Sequence, residues 1–499
     1  MPLWRVLAGL SLIAVYTTVW ADDRQTPVQL EAREGEESEE PEAPDLLERL
    51  TERNDKRIEL DPYRIGLAGR VLSIGGQYEL GYERIHTGGR RPNLELRRGN
   101  AFAQELELEA FYRFDAHHSV FAQGRLVMVD EDYGESDADE LTKYAERGEM
   151  WYRYEAIAGS DWVFDIGRID YEDRRHWWWD DELDSARLTH DGDNLVFSVS
   201  LAKELGGVRS NLNDLAADEK GVIRGLATVD WTWTDNQSAQ LFLLHQNDDS
   251  ARLQPDDFAR PGQEDPSDAN LTWLGGLVTG VFELASTGLL GYWLNGGWVN
   301  GTEHLTVFED DPDKGLRADS VRRRKVDGWA VDTGVSWMPD WSWEPRFFAG
   351  YAYGSGDSDP ESKNDRAFRQ TGLESNDAGF GGVEEFPNYG ILIDPELSNI
   401  GIASVGVGGA LFRASSLDLV YHHYRLAEPA ESLRDSNIEV ELTGIDRDFG
   451  QALDLVLALE EWKQIELLLT VSAFRAGRAF GRDHGEMSYG GFAGVRITF

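Results

Sequence analysis

Cysteine is absent from the 499 residues of this sequence. The chain therefore has no disulfide framework, no thiolate metal ligand and no cysteine nucleophile. Basic residues are scarce, since 48 Lys and Arg face 91 Asp and Glu, which gives a formal net charge of −43. Such a surface repels polyanions, so the composition argues against a nucleic-acid partner bound through its phosphates.

Long apolar runs are missing after the first 21 residues. Arg5 followed by the apolar run 6–15 and by Ala21 has the layout of a secretory signal peptide, predicted over residues 1–21. The alternative, a membrane anchor, requires a longer run. No later stretch reaches the roughly 18 to 20 apolar residues of a transmembrane helix, so a membrane location would require a closed barrel.

A strongly acidic segment follows. Residues 31–48 carry nine acids against one base, Arg33. Such a segment cannot bury enough apolar surface to offset its ordering entropy. Residues 22–60 are therefore predicted to be a disordered periplasmic leader, with a docking tail for a periplasmic export partner as the alternative.

Aromatic residues and glycine are abundant, with Trp 17, Tyr 17, Phe 21 and Gly 52. From about residue 75 the chain divides into short segments with period-2 character, and tight and long gaps mostly alternate between them. The tight gaps lie near residues 115–117, 157–160, 190–194, 235–237, 286–288, 339–342, 409–411 and 462–463. The long gaps lie near 87–99, 131–143, 171–183, 204–220, 249–270, 301–325, 356–394, 426–447 and 478–485. Eight tight and nine long gaps separate 18 segments.

Short turns at one end and long loops at the other are typical of an outer-membrane barrel, whose short turns are periplasmic and whose long loops are extracellular. The sequence thus predicts an all-β fold: a single transmembrane antiparallel β-barrel of about 18 strands over residues 61–499. The alternative, a soluble β-sandwich, explains the alternation but not the loop asymmetry. The last strand ends in Phe499, which resembles the signal read by the barrel assembly machinery.

Alternating faces identify the residues of the lumen. Along 101–114, Leu108 and its apolar neighbours share the face opposite Glu107. The segments 162–171 and 241–246 do not resolve into faces. The acids assigned inward are Glu105, Glu107, Glu109, Glu149, Glu155, Asp230, Asp332, Asp418 and Asp454. The bases assigned inward are Arg113, Arg125, Arg153, Arg224, Arg346 and Arg496. Such a mixed wall can set selectivity by field and hydrogen bonding, or its charges can simply pair across the lumen.

Motifs of catalysis are missing: there is no serine elbow, no HExxH and no Walker-type loop. We therefore predict no catalytic residue, no cofactor and no metal; the acids at 311 and 313 lack full calcium-ligand spacing. The loop tryptophans Trp177, Trp178 and Trp179 could stack on sugar rings or belong to an interfacial aromatic belt. The loop acids Asp180, Asp181 and Asp184 leave open an outer-membrane enzyme as a further alternative.

Several motifs run in order over about 300 residues and together resemble the alginate export porin family. They are Gly167-Arg168 with the acidic, Trp-containing stretch through Asp180 and Asp184; 271–275, LTWLG; 370–376, QTGLESN; 396–399, ELSN; 419–422, LVYH; and 450–451, GQ, with 453–456, LDLV. The resemblance implies an 18-stranded outer-membrane barrel that passes an exopolysaccharide outward by diffusion. It carries over Glu149, Arg168, Asp180 and Glu374 as lumen residues without a catalytic role.

The sequence also departs from this family at two points. The resemblance implies a lumen lined by arginines. Where those basic residues are expected, this sequence has Asp170, Asp377, Leu468 and Thr470. The family's periplasmic plug loop is missing, because the turn at 462–463 is tight. We therefore predict a passive outer-membrane channel for an alginate-like exopolysaccharide, lined by Arg113, Arg125, Glu149, Arg153, Arg168, Asp180, Asp184 and Glu374. A porin for oligosaccharides or small polar solutes is the alternative.

Overall fold

The computed structural model describes residues 62–87, 99–132, 140–212, 215, 219–248, 253–259, 267–285, 287–311, 315–360, 362–380, 382–437 and 442–499. The predicted signal peptide and the whole of the predicted leader, residues 22–60, lie outside these residues. The same is true of the side chains at 311 and 313.

Eighteen long strands form one antiparallel barrel. In chain order they are β1 (Arg70–Thr87), β2 (Gly99–Arg113), β3 (His118–Asp132), β4 (Glu140–Tyr154), β5 (Trp162–Glu172), β6 (Asp180–Asp191), β7 (Leu195–Ala202), β8 (Ile223–Thr234), β9 (Gln237–Asn247), β10 (Ser267–Glu283), β11 (Leu289–Asp311), β12 (Gly315–Met338), β13 (Arg346–Gly354), β14 (Ile400–Ala410), β15 (Ser415–Leu426), β16 (Asp448–Leu459), β17 (Ile465–Ala476) and β18 (Met487–Thr498). Each strand pairs with the next, and β18 pairs with β1, which closes the barrel. The predicted fold class and strand number are confirmed. None of the helices in the described part of the chain has the length and apolar character of a membrane span.

The connections differ between the two ends of the barrel. All eight predicted tight gaps are turns at one end, which we call the short-turn end. The other end, the long-loop end, carries the longer connections. The prediction of a loop over 301–325 is wrong, because β11 and β12 continue to residues 311 and 315. Both faces of this hairpin carry polar residues, so a pattern that expects one apolar face does not recognise its strands.

The two faces of the wall follow the predicted alternation. Leu108 is 49% exposed on the outside, whereas Glu107 is 4% exposed on the inside. One irregularity lies in β4, where the register with β3 shifts between Ala122 and Gly124. This bulge changes which alternate residues face inward, so that Glu146 and Glu149 both reach the lumen side.

Two long-loop-end connections fold into the barrel instead of away from it. We call residues 355–399 the lumen loop and residues 173–179 the Trp loop. The lumen loop contains the short strand Asn364–Asp365 and a small hairpin of Asp377–Ala378 with Phe386–Pro387. Most of its apolar side chains are buried against the wall and the Trp loop, including Phe368, Leu373, Phe386, Leu392 and Leu397.

Candidate transport path and its plug

The lumen loop leaves the wall and returns to it at the same point. The Ser355 amide donates to the Trp329 carbonyl at 2.9 Å, and the Asn399 amide donates to the Ser355 carbonyl at 3.1 Å. The two ends of a 45-residue excursion are therefore hydrogen-bonded to each other. The barrel wall is continuous without the loop, since β13 pairs directly with β14.

A buried ion pair anchors the loop to the wall. Arg369 donates to both carboxylate oxygens of Glu303 on β11, at 2.8 and 2.6 Å, and to Asp365 at 2.6 Å. All three side chains are buried. A two-pronged guanidinium–carboxylate pair is among the stronger polar contacts because both hydrogen bonds are charge-assisted.

Two of the sequence motifs meet inside the loop. The Gln370 amide donates to the Glu396 carboxylate at 2.8 Å, and the Leu397 amide donates to the Gln370 side-chain oxygen at 2.7 Å. Gln370 and Asn376 also bond each other through their side chains. The QTGLESN and ELSN motifs are thus hydrogen-bonded to each other and stabilise the conformation of the lumen loop. These contacts are within the loop and do not involve a solute.

The Trp loop fills the bore beside the lumen loop. The Trp178 indole donates to Asn295 on β11 at 3.0 Å and stacks on Phe242 with ring centroids 5.1 Å apart. The Trp177 indole donates to the Tyr389 hydroxyl of the lumen loop at 2.7 Å. Thr371 donates to the Trp178 carbonyl. The interpretation of these tryptophans as an interfacial belt is wrong, because the rings are 1–2% exposed inside the barrel and do not meet lipid. Stacking on sugar rings stays a prediction.

Glycines on the wall make room for this aromatic packing. A Cβ at Gly297 on β11 would lie 2.8 Å from the Trp178 ring and 3.2 Å from Trp177. The wall is thus shaped to receive the Trp loop. The inward-facing Phe242 and Leu244 of β9 are buried for the same reason. Segment 241–246 did not resolve into faces because at this height both of its sides are apolar.

The lumen loop extends to the short-turn end. The Val383 amide donates to the Ser416 hydroxyl of β15 at 3.1 Å. One residue further, the carboxylates of Glu384, Glu460 and Glu466 have oxygens within 4.8 Å of one another. Among the described residues this is the group with the spacing to hold a cation. The loop therefore reaches from the long-loop end to the short-turn end of the bore.

The predicted lumen residues form a network of ion pairs on one side of the wall. Arg125 contacts four carboxylates, those of Glu105, Glu107, Glu146 and Glu182, the last at 2.6 Å. Arg168 continues the network, since it pairs with Glu182 and with Glu204 at 3.1 Å each. A low-dielectric wall tolerates these charges only because each is paired.

The remaining predicted residues lie around this network. Asp184 takes a two-pronged pair from Arg147 at 2.6 and 2.8 Å, and Glu149 accepts the Trp151 indole N–H at 2.6 Å. Arg153 pairs with Asp165 at 2.7 Å. Arg113 pairs with Glu155 at 3.2 Å, with half of its side chain exposed.

Glu374 and Asp180 lie where the two loops meet. The Asp180 amide donates to the Leu373 carbonyl at 2.6 Å. The Glu374 carboxyl group accepts the Gly372 amide at 2.7 Å, and its oxygen lies 3.0 Å from the Thr371 hydroxyl oxygen. Burial raises the pKa of Glu374 to about 8, and the charge of Glu396 adds to the rise. Burial likewise raises the pKa of Asp394 to about 7.

Sequence reasoning missed several members of the site. Asp165 was missed because the inward face of β5 also carries the apolar residues Ile169 and Tyr171, which pack in the filled bore. The segment therefore showed no polar face in the sequence. Glu182 and Glu204 fell into segments predicted as loops. Arg369 directly precedes the QTGLESN motif, and this adjacency was the available signal.

The model of the family described as alginate export matches residues 70–493. The chain belongs to the alginate export family. The family resemblance that was predicted from the sequence motifs is therefore confirmed. This membership and the closed 18-stranded barrel place the protein in the outer membrane of a Gram-negative cell, with the short-turn end in the periplasm.

Two relatives show the extent of the similarity. The chain is 28% identical to the alginate production protein AlgE of Pseudomonas aeruginosa over 325 residues, which are 63% of this chain and 63% of that protein. It is 28% identical to AlgE of Azotobacter vinelandii over 293 residues, which are 56% of this chain and 58% of that protein. The matches thus span less than two thirds of the relatives' length.

Solved structures with the same fold include two proteins of Pseudomonas aeruginosa. OccK1 (OpdK) superimposes with a TM-score of 0.54 at 10% identity, covering 86% of this chain and 98% of the other. OccK5 (OpdH) gives a TM-score of 0.52 at 10% identity, with the same coverage. At this identity the likeness concerns the fold alone.

Proposed function

We propose that this protein is a passive outer-membrane channel that exports an alginate-like exopolysaccharide. Membership of the alginate export family supports the direction and the class of substrate. The closed barrel supports a path, because 18 strands enclose a bore wide enough for an aqueous channel. The observation that carries the proposal is the lumen loop, a separable plug in a barrel whose wall is complete without it.

We infer from the packing of the plug that the described state is a closed one. The lumen loop and the Trp loop fill the bore from the long-loop end to the short-turn end. Transport therefore requires the lumen loop to leave the bore. The loop is fixed mainly by Arg369, by the Trp177–Tyr389 contact and by its contacts near Ser416.

The test is conductance in a planar bilayer, with the wild type compared with a variant in which residues 356–398 are replaced by a short Gly-Ser linker. Because Ser355 and Asn399 are already hydrogen-bonded, the linker closes without strain on β13 and β14. We expect a low conductance for the wild type and one at least tenfold higher for the variant. Block of the open variant by a polyuronate, but not by a neutral oligosaccharide of the same length, supports alginate-type export.

Heat-modifiable migration on gels controls for folding of both proteins. An excised variant that folds but conducts no better than the wild type contradicts the plug. An open variant that is indifferent to polyuronate contradicts the substrate class and leaves the channel in place. The two failures are therefore distinguishable.

One observation favours a second candidate, a porin for neutral or cationic solutes. All six arginines predicted to face inward are ion-paired with carboxylates, at Arg113, Arg125, Arg153, Arg224, Arg346 and Arg496. A polyuronate has a carboxylate on every sugar and needs cationic partners along its path. Cation preference of the excised variant, without polyuronate block, is the result that selects this candidate.

We further propose that the channel has no catalytic role and that the barrel assembly machinery inserts it. Among the loop acids considered for catalysis, Asp184 is held by Arg147. We also propose that a periplasmic export partner binds the acidic leader, residues 22–60. Loss of partner capture after removal of this segment, with conductance unchanged, is the expected result.

A further inference from the structure

A basic patch stands out on the outer surface of this acidic protein. Arg323 and Lys325 lie on β12, and Lys363 and Arg366 lie on the lumen loop where it emerges beside that strand. All four side chains are exposed. We call these four residues the basic patch.

The backbone holds the two halves of the patch together. The short strand Asn364–Asp365 pairs in parallel with Lys325 and Val326, and the Lys325 amide donates to the Lys363 carbonyl at 2.8 Å. Arg366 is close enough to Asp327 to act on its carboxylate. The patch is thus a built surface with fixed backbone positions on two segments of the chain.

The patch continues the lipid-facing surface of the barrel. Arg323, Lys325 and Trp329 alternate along one face of β12, the outward one, since Trp329 is 51% exposed. Trp329 lies opposite Trp298 on β11, and its ring is 5.1 Å from that of Tyr353. Such exposed aromatic rings mark the level where the hydrocarbon meets the headgroups.

Strand geometry gives the height of the patch. Lys325 lies four residues nearer the long-loop end than Trp329, or about 13 Å along the strand. Because the strands are tilted, this places the ammonium and guanidinium groups about 10 Å above the aromatic level. That is the layer of lipid headgroups on the extracellular side.

The local charges leave the patch positive. Arg324, the residue between Arg323 and Lys325, turns inward and lies 3.5 Å from Asp365. Lys325 pairs with Asp327 at 3.2 Å, but about half of each side chain is exposed, and such pairs are weak. A positive patch at headgroup height, on a chain with a net charge of −43, is complementary to an anionic partner in the membrane plane.

We propose that the basic patch binds the phosphate groups of the glycolipid that forms the outer leaflet. Phosphates offer several acceptor oxygens to Arg323, Lys325, Lys363 and Arg366, and the acyl chains of the same molecule lie against Trp298 and Trp329. The proposal depends on the membrane location and not on which solute is transported. Because β12 also adjoins the start of the lumen loop, a bound glycolipid stabilises the point where that loop leaves the wall.

The test measures binding of bisphosphorylated lipid A to the full-length protein in detergent, by native mass spectrometry. The test variant carries Arg323→Gln, Lys325→Gln, Lys363→Gln and Arg366→Gln. The control variant carries four equivalent changes at exposed bases of the short-turn end, Arg64→Gln, Arg70→Gln, Arg413→Gln and Lys463→Gln. Both variants have the same total charge, and heat-modifiable migration verifies folding.

We expect affinity for bisphosphorylated lipid A to fall at least tenfold in the test variant and to stay within twofold of the wild type in the control. Dephosphorylated lipid A should bind the wild type as weakly as the bisphosphorylated lipid binds the test variant. Equal affinity of the wild type for the two lipids overturns the proposal, as does an equal loss in the control.

Two further arms separate lipid from other anions. Inorganic phosphate at millimolar concentration should not displace the lipid, because it lacks the acyl chains; full displacement would show a simple anion site instead. Oligomannuronate should bind the wild type and the test variant equally. If its binding falls in the test variant while lipid binding does not, the patch serves the exported polymer and the proposal is wrong.

Discussion

Arg369 of the lumen loop and Glu303 of strand β11 form a two-pronged ion pair, with N–O distances of 2.8 and 2.6 Å, at a point where both side chains are buried. The pair joins the lumen loop to the barrel wall. Under the proposed plug mechanism, its strength therefore determines how often the lumen loop leaves the bore.

Arg369→Gln should release the lumen loop. The substitution leaves Glu303 buried without its cation, and breaking such a pair costs about 3–5 kcal/mol. Open events in planar bilayers should become at least tenfold more frequent. The exposed pair of Arg317 with Glu309 offers a control, because exposed pairs contribute little: Arg317→Gln should leave the opening frequency unchanged. Unchanged opening in Arg369→Gln would show that other contacts fix the loop.

Gly297→Val should displace the Trp loop. A Cβ at this position meets the rings of Trp178 and Trp177 at 2.8 and 3.2 Å, and both rings are buried without space to retreat. Overpacking of this kind costs about 1–3 kcal/mol. Tryptophan fluorescence should shift towards the red and conductance should rise. In the matched control, Gly225→Val on β8, the Cβ meets nothing within 4 Å, and we expect neither change.

Raising the pH should loosen the plug. The pKa of Glu374 is raised to about 8 by burial in the docked loop, whereas a solvated glutamate titrates near 4.5. The docked state therefore keeps a proton that the released state loses, so docking is strongest below about pH 4.5 and weakens until about pH 8. Asp394, with its pKa raised to about 7, acts in the same direction.

We expect open probability to rise several-fold between pH 5 and pH 8. Glu374→Gln keeps an acceptor for Gly372 and removes the charge, so part of this pH dependence should disappear. Glu431→Gln, at an exposed acid outside the bore, is the control and should keep the wild-type profile. A profile that is flat in the wild type, or identical in Glu374→Gln, would contradict the assignment.

Arg125→Gln should destabilise the barrel itself. Arg125 lies within 3.7 Å of four carboxylates, and its loss leaves them facing one another in the wall. We expect a decrease of about 3–5 kcal/mol in the free energy of unfolding. Arg113→Gln, which removes a half-exposed pair, should cost about 1 kcal/mol or less. Denaturant midpoints in matched micelles measure both, and similar midpoints for the two variants would show that the network is not structural.

The barrel could be predicted from the sequence because its strands obey a local rule. Glu107 and Leu108 face opposite sides as their alternation requires, and the short gaps coincide with the eight turns. That rule assumes lipid on one face and water on the other. It succeeds wherever both solvents are present, as along β2 and β15.

The plug could not be predicted in this way. The Trp177–Tyr389 contact joins residues 212 positions apart, and no local pattern encodes it. The plug also replaces water with apolar packing inside the bore. An apolar residue, Phe242, therefore faces inward, where the alternation rule expects a polar one. The extended hairpin of β11 and β12 was missed for the opposite reason, since both of its faces carry polar residues. The family motif at 370–376 was recognised, but its role in shaping the loop is visible only in three dimensions.

The meeting of Ser355 and Asn399 has a consequence for how such barrels diversify. A segment whose ends touch can be exchanged, lengthened or shortened without altering the register of any strand. Selection can therefore act on the contents of the bore and on the wall separately. Replacement of the lumen loop alone would therefore let barrels with the same 18 strands transport different solutes.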